Sequence, residues 1–336
     1  VTVVDEDAID LGAATVSGTY SVTAGGAITD SGTQEITGVT TLVAGSNAIT
    51  LDRAGNNFST VIITSGGDVA LRDAGAIILG AATVTGTYAV TAGGAVTNSG
   101  TQEITGITTI SAASHNVTLD TTTNNFAAAV RITGAAVIVV DENAINLGAS
   151  TVTGTYTVTA TAGDITNTGA LIITGASTFI VGTTTSNIVL DHASNAFSNS
   201  VTMKAGTSGD QAFGNIGFFD GGAVVIQTKA GTNADGELLI DGSTDGVVGG
   251  TLSIEATGDI TQNIDLTVTG TTTLEAGSNA ITLNRPGNNF STVIITSGGD
   301  VAITDTNAIV LGRSTVSGTY AVTAGGDITN TVDCLI

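Results

Sequence analysis

The chain has 336 residues and a net charge of −22 at pH 7, with seven Lys plus Arg against 29 Asp plus Glu. So few basic residues argue against nucleic-acid binding and against docking on anionic lipid. No apolar run approaches the ~20 residues of a membrane helix, so we expect no membrane insertion of this segment. The single cysteine, Cys334, excludes an intrachain disulfide.

Internal repeats are the main feature along the chain. A block that begins LGAATVSGTYSVTAGG recurs, with small changes, from Leu11, Leu79, Leu147 and Leu311, and the equal spacing of the first three copies defines a 68-residue repeat. A second block, with the consensus ITLDRAGNNFSTV, recurs from Ile49, Val117, Ile188 and Ile281. Each repeat contains three sub-units of about 20–25 residues, each with short β runs.

This spacing predicts an all-β fold, a right-handed parallel β-solenoid of about fifteen coils with a three-coil super-repeat. Successive parallel strands are ~4.8 Å apart, so the coils would form a rod about 70 Å long. Asp5, Asp73 and Asp141 share one repeat position. We expect three coils between them, and hence no ladder of like charges.

Strict alternation in ATVTGTYAVTAGG indicates which side chains point inward. Val84, Tyr88 and Val90 share one parity and the threonines share the other, so we expect the first set inside and the threonines outside. The tyrosines of the chain all fall at this repeat position: Tyr20, Tyr88, Tyr156 and Tyr320. Because a buried hydroxyl needs a hydrogen-bond partner, we expect an inter-coil polar contact at each.

Glycine and asparagine mark the predicted corners. Gly-Gly and Ala-Gly-Ser suit a positive φ, and asparagine in Asn-Asn-Phe tolerates the left-handed conformation. The phenylalanine of this motif is expected to fill the corner, at Phe58, Phe126, Phe197 and Phe290. The alternative interpretation of Asn-Asn-Phe is a sugar-binding loop.

The repeats divide the chain into regular solenoid at 1–200, an irregular solenoid segment at 201–257, and regular solenoid at 258–336. The irregular segment holds both lysines and is expected to form larger loops. Being the least repetitive surface, it is the best candidate for a specific activity. We predict a possible ligand surface at Lys204, Phe218, Phe219 and Lys229.

The same segment contains the chain's candidates for metal binding and catalysis. Its oxygen-rich turns offer Asp235, Glu237, Asp241 and Asp245 as candidates for a Ca²⁺ site, although ordinary Asx turns are the preferred interpretation. The one catalytic constellation that the sequence offers consists of Lys204, Asp210, Lys229, Asp235, Glu237 and Asp241, and we expect no enzyme and no other cofactor. His115 and His192 are expected to be surface or corner residues.

The chain begins and ends inside a repeat, because VTVVDEDAIDLG at 1–12 matches VIVVDENAINLG at 137–148 and TVDCLI at 331–336 aligns with 168–173. Neither end resembles a cap, and bare solenoid ends expose unpaired strands. We therefore expect a segment of a longer protein, or a protomer that associates with itself end to end or laterally.

With these blocks in view, the chain resembles the repeat region of filamentous-haemagglutinin-like bacterial exoproteins. The resemblance rests on LGAATVTGTYAVTAGGAVTNSG, on the block around ITLNRPGNNFSTVIITSGGDVAIT, and on Gly-Asp-Ile-Thr at Gly163, Gly258 and Gly326. It implies export, often by a two-partner outer-membrane route, extracellular display at the cell surface or release, and a role in adhesion or biofilm cohesion. Binding of cell-surface glycans through 201–257 is the alternative, and ice binding by threonine rows is a weaker one.

Overall fold

The computed structural model describes residues 1–183, 185–206, 213–227, 237–241 and 246–331. Over these residues the protein is all-β, and its parallel strands stack as a β-solenoid of about fifteen turns. The chain separates into two compact units, Val1–Val158 and Thr159–Ile336.

The strands of the first unit are short and are separated by tight bends. In order they are β1 (Thr2–Asp5), β2 (Ile9–Leu11), β3 (Ala14–Val16), β4 (Tyr20–Ala24), β5 (Ile28–Asp30), β6 (Gln34–Val43), β7 (Ile49–Leu51), β8 (Asn57–Gly66), β9 (Val69–Asp73), β10 (Ile77–Val84), β11 (Tyr88–Ala92), β12 (Val96–Asn98), β13 (Gln102–Ile104), β14 (Thr108–Ser111), β15 (Val117–Leu119), β16 (Asn125–Phe126), β17 (Val130–Gly134), β18 (Val137–Asp141), β19 (Ile145–Leu147) and β20 (Ser150–Val152).

The strands of the second unit repeat this arrangement, and the strand that contains the boundary between the units is β21 (Tyr156–Ala160). The others are β22 (Ile165–Asn167), β23 (Leu171–Ile173), β24 (Ser177–Val181), β25 (Ile188–Leu190), β26 (Ala196–Phe197), β27 (Val201–Ala205), β28 (Ile216–Asp220), β29 (Val224–Gln227), β30 (Glu237–Asp241), β31 (Val247–Val248), β32 (Leu252–Ala256), β33 (Ile260–Gln262), β34 (Thr267–Glu275), β35 (Ile281–Leu283), β36 (Asn289–Ser297), β37 (Val301–Asp305), β38 (Ile309–Leu311), β39 (Tyr320–Ala324) and β40 (Ile328–Asn330).

Successive coils are joined by parallel backbone pairing in register. Thr2 pairs with Ser21, Ser21 with Thr41 and Thr41 with Ile62. The intervals between these positions lie at the lower edge of the length predicted for one coil. Parallel pairing places equivalent side chains of neighbouring coils next to each other, and the aliphatic ones form a continuous buried core.

The alternation predicted for the strands is confirmed. Val84, Tyr88 and Val90 are each 1% exposed, whereas Thr83 and Thr91 face solvent. Of the tyrosines, Tyr20 and Tyr156 are also buried, but Tyr320 is half-buried because β39 pairs with β37 alone among the described strands. Each phenylalanine of the corner motif is at most 3% exposed, as expected for Phe58, Phe126, Phe197 and Phe290.

The 68-residue repeat takes about three and a half coils, so the prediction of three is wrong. In register with Tyr20, on successive coils, lie Thr40, Val61, Leu79 and Asn98. Tyr88, the next copy of Tyr20, falls about midway between Leu79 and Asn98 in the sequence and pairs with Val69 in the other sheet. Consecutive copies of the repeat in the first unit therefore lie on opposite sheets.

This half-coil offset also changes the interpretation of the repeated aspartates. Asp5 pairs with Ala24 in one sheet, while Asp73 pairs with Ala92 in the other. The two carboxylates are kept apart because they belong to opposite sheets, and not because three whole coils separate them on one face as predicted.

The Gly-Gly corners depend on close approach between coils rather than on positive φ. A Cβ on Gly25 would lie 2.0 Å from the carbonyl oxygen of Glu6 on the neighbouring coil, a distance that no side chain tolerates. Positive φ is found instead in the Ala-Gly-Ser corners, at Gly45 and Gly277, both with φ +59°. The prediction is thus confirmed for the second kind of corner and wrong for the first.

Within 201–257, the coil that begins at Ile216 is longer than the others. Ile188 pairs with Ile216, and Ile216 pairs with Leu252, so the interval grows from one coil to the next and exceeds every interval of the first unit. The additional residues of this coil include β30. This strand directly follows β29 in the sequence, yet it pairs with β29 as well as with β27. The larger insertion expected in this segment is therefore present in the second unit.

Candidate functional site

Buried asparagines bond neighbouring coils at the Asn-Asn-Phe and Asn-Ala-Phe corners. The Oδ1 of Asn124 accepts the backbone N–H of Gln102 at 3.0 Å, and its Nδ2 donates to the carbonyl of Leu119 at 3.2 Å. The same position is buried in every copy of the motif, at Asn56, Asn124, Asn195 and Asn288. Among the described non-glycine residues only Ala113 and Thr185 have positive φ, so the prediction of a left-handed asparagine is wrong.

An aspartate from the next coil completes each of these corners. The Oδ2 of Asp141 accepts the N–H of Phe126 at 2.8 Å, and its Oδ1 accepts the N–H of Asn143 at 2.7 Å. Burial raises the pKa of Asp141 to about 6, although the two amide hydrogen bonds act in the opposite direction. Equivalent buried carboxylates are Asp73, Asp220 and Asp305.

These aspartates were not predicted from the sequence, although a signal was present. Phe58, Phe126 and Phe290 are each followed, at one constant interval, by an aspartate that ends a strand. A constant spacing between an aromatic residue and an acid, shorter than one coil, indicates contact across a corner. The phenylalanine packs in the core and the aspartate accepts backbone N–H groups. This arrangement therefore stabilises the fold and leaves no reactive group exposed.

The tyrosine hydroxyls do not all find the inter-coil partner predicted for them. Tyr156 is hydrogen-bonded to Ser150, whereas the hydroxyl of Tyr88 is buried with no partner in the described part of the chain. Ala82 occupies in that copy the position of Ser150. Burial raises the pKa of both phenols above the ordinary value, so both remain neutral.

In the irregular segment, Lys204 is paired with Asp241. The Nζ of Lys204 lies 3.2 Å from Oδ2 of Asp241 on the adjacent coil, and each side chain is 18% exposed. The lysine charge is therefore balanced within the protein. An ion at Asp241 would have to displace this ammonium group.

Phe218 and Phe219 do not lie on an exposed surface, contrary to the placement predicted for them. They are 3% and 5% exposed because every residue of β28 is buried, on both faces of the strand. Lys229, the fourth residue of the predicted ligand surface, lies outside the described residues. Lys204 is thus the one member that the structure places at the surface of this segment.

Aromatic rings fill the interior beside this coil. Phe197 meets Phe179 edge-on at a centroid distance of 6.2 Å and stacks on Phe218 at 5.5 Å. A shallow cavity of about 170 Å³ adjoins Phe197 and the buried carboxylate of Asp220. It is smaller than the ~300–1,000 Å³ of pockets that enclose drug-sized ligands.

A pair of like charges does occur on adjacent coils, although such pairs were expected to be avoided. Glu255 in β32 is directly opposite Glu275 in β34. Burial raises the pKa of Glu255, and the neighbouring carboxylates of Glu275 and Asp191 raise it further. The described residues nevertheless hold no group of three or more His, Cys, Asp or Glu side chains placed to bind a metal ion.

The remaining calcium and catalytic candidates stay predictions. Asp210, Asp235 and Asp245 lie outside the described residues, and Glu237 is described only as backbone in β30. The histidines have local roles. Nδ1 of His115 is 3.3 Å from the carbonyl of Ala112, and Nδ1 of His192 accepts the N–H of Ser194 at 3.2 Å.

A family model described as repeats of unknown function (DUF5649) matches five segments of the chain, at residues 1–65, 66–133, 134–204, 221–297 and 298–334. The matches leave out 205–220, where β28 lies, and resume inside the segment that was predicted to be irregular. Neither the curated proteins nor the solved structures contain a match. No helix in the described parts of the chain is long and apolar enough to cross a membrane.

Proposed function

This chain belongs to the family of repeats of unknown function. We propose that it is a structural and adhesive segment of a bacterial extracellular surface protein or filament. The observation that carries the proposal is the continuous pairing of one coil with the next. Binding chemistry is sparse by comparison, because the polar side chains of the described corners bond to the backbone of their own fold.

The pairing supports a mechanical role for a physical reason. Within each unit, the described coils are held to their neighbours by parallel backbone hydrogen bonds, and corner side chains such as Asn124 and Asp141 add further bonds across the same gap. A pull along the stack is thus shared by several bonds at each step. The resemblance to filamentous-haemagglutinin-like exoproteins supports the extracellular assignment.

The proposal is tested on the bacterium that encodes the chain. Antibodies raised against the purified chain should label intact cells or released fibres, with a cytoplasmic protein as the control for lysis. An in-frame deletion of residues 69–204, a pair of repeats, should weaken attachment of the cells to surfaces or to one another. Labelling that appears only after the cells are broken would overturn the proposal.

Glycan binding through 201–257 is a second candidate, favoured by the partly exposed ion pair of Lys204 and Asp241 on adjacent coils of this segment. A glycan array with the purified chain tests it. The double variant Lys204→Ala/Asp241→Ala, which removes the ion pair of this segment, should lose a genuine signal. The matched control is Arg285→Ala/Asp265→Ala, which removes an ion pair of 2.8 Å elsewhere in the second unit. Equal signals from both variants, or none from the wild type, would count against glycan binding.

A further inference from the structure

One sheet of the first unit presents rows of outward side chains that carry no charge. The first row runs from Thr2 through Ser21 and Thr41 to Ile62, and a parallel row runs from Val4 to Ser65. A third row continues on the following coils from Thr60 to Ile138. All three consist of Thr, Ser, Val and Ile alone, and we call them together the uncharged face.

The uncharged face contains exposed apolar side chains. Ile78 is 38% exposed and Ile138 is 40% exposed. Residues 1–158 are all described, so no charged side chain of this unit is hidden within the three rows. The outward carboxylates of the same sheet belong to separate rows, Glu35 between Thr15 and Asn57 and Glu103 between Thr83 and Asn125.

The opposite sheet of the unit differs in charge. Its main outward row runs from Asp10 through threonine and alanine side chains to Arg131, and the row beside it holds Arg72. The corners carry most of the remaining acidic residues. A contact through the uncharged face therefore desolvates no charged side chain, and it leaves the acidic corners of both copies outside the contact in a chain with a net charge of −22.

We propose that the uncharged face is a lateral docking surface for a second copy of this chain, packed sheet against sheet. The side chains of two such faces have similar sizes and alternate along each strand, so they interdigitate at the ~10 Å spacing of packed sheets. This inference deepens the proposed function by naming the partner. Its test uses purified protein and is independent of where the cell places the chain.

The size of the face sets the strength of the contact. From Thr2 to Ile138 the rows cross seven steps between coils, which gives about 34 Å at ~4.8 Å per step. With a width of about 10–14 Å, a pair of copies would bury roughly 700–1,000 Å². That area is typical of weak, transient interfaces, so association is expected at high protein concentration or where many copies stand side by side.

A neutral polysaccharide is the less favoured occupant. Such ligands stack their sugar rings on exposed aromatic side chains, and the three rows contain none. The aromatic side chains of the unit, such as Tyr20, Tyr88 and Phe126, point into the core instead. Methyl and hydroxyl groups on a flat sheet suit another sheet of the same composition better.

Sedimentation of the full chain tests the proposal, from about 10 μM to about 1 mM in 0.5 M NaCl, where repulsion between copies is screened. The face variant is Ile78→Glu/Ile138→Glu. The control is Ala70→Glu/Thr109→Glu, which adds the same charge to outward positions of the opposite sheet. Wild type and control should associate equally, and the face variant should associate at least tenfold more weakly.

Unchanged melting temperatures establish that both variants fold. A wild type that remains monomeric at 1 mM would overturn the proposal, as would equal weakening by both variants. Retention of the monomeric wild type on insoluble chitin or cellulose, lost in the face variant, would overturn it in favour of the polysaccharide.

Discussion

Tyr88 and Tyr156 occupy the same repeat position and differ in one neighbour, Ala82 or Ser150. The hydroxyl of Tyr88 therefore lacks the hydrogen bond that Tyr156 has. We expect Tyr88→Phe to raise the free energy of unfolding by about 1 kcal/mol, because a buried polar group without a partner is removed. Urea denaturation of the full chain measures the difference.

The matched change is Tyr156→Phe, which should lower the free energy of unfolding by about 1 kcal/mol because the hydrogen bond to Ser150 is lost, while Ser150 keeps its bonds to Ile132 and Gly148. Ala82→Ser should stabilise the wild type and have no such benefit in the Tyr88→Phe background. Equal effects of the two Tyr→Phe changes would contradict the assignment.

Ala113 occupies the position of Gly45 in the next repeat, and both have positive φ, 48° and 59°. A Cβ in the left-handed conformation costs about 1–2 kcal/mol. Ala113→Gly should therefore stabilise the chain by up to about 1 kcal/mol after the greater freedom of glycine in the unfolded state is counted. Thermal melting followed by circular dichroism checks the sign.

Gly45→Ala is the control, and it should destabilise the chain by a similar amount. No atom lies within 4 Å of a Cβ placed on Gly45, so the loss would come from the backbone conformation alone. If Gly45→Ala stabilised the chain, the positive φ assigned to this corner would be contradicted.

Among the elements, the corner that joins Phe126 to Asp141 couples folding to pH. The pKa of Asp141 in the folded protein, about 6, exceeds the ~3.9 of an unfolded aspartate. The folded state thus holds the proton more tightly, and the stability contributed by this group is full below pH 4 and declines as the pH rises to about 6. In Asp141→Asn the melting temperature should fall less than in the wild type between pH 4 and 7.

The corner at Asp68 should show the opposite dependence of stability on pH. The N–H and hydroxyl of Thr87 donate to Asp68 Oδ1 at 2.7 and 2.9 Å, and these bonds lower the pKa of Asp68. Its contribution is present above pH 4 and lost as the pH falls further. Asp68→Asn should therefore reduce the loss of stability below pH 4 and leave the range from pH 4 to 7 unchanged. A change in the upper range would contradict the assignment of the two windows.

For the molecule as a whole, the net charge of −22 predicts salt-dependent stability. Raising NaCl from 10 to 500 mM should increase the melting temperature by about 2–4 °C, roughly 1 kcal/mol for units of this size, because screening weakens repulsion among the acidic corners. Glu275→Gln, which relieves the pair with Glu255, should show a smaller increase. A melting temperature that falls with salt would contradict this prediction.

The parallel solenoid and the inward parity of Val84 and Tyr88 could be predicted because repetition and alternation are properties of the sequence itself. The half-coil offset could not, because the number of residues in one coil follows from the register between neighbouring strands, which the repeat spacing alone does not give. The burial of Phe218 and Phe219 was likewise not predictable, since adjacent residues of a strand normally face opposite ways. It occurs in the one coil of this segment whose length departs furthest from the repeat.

The half-coil offset has a consequence for how such genes change in length. Duplication of one 68-residue repeat would turn every later surface through half a revolution, so that features once aligned would point in opposing directions. Duplication of two repeats would return later surface features to their original orientation and would only increase the distance between them. Selection for a common orientation along the chain should therefore favour gains and losses of repeats in twos.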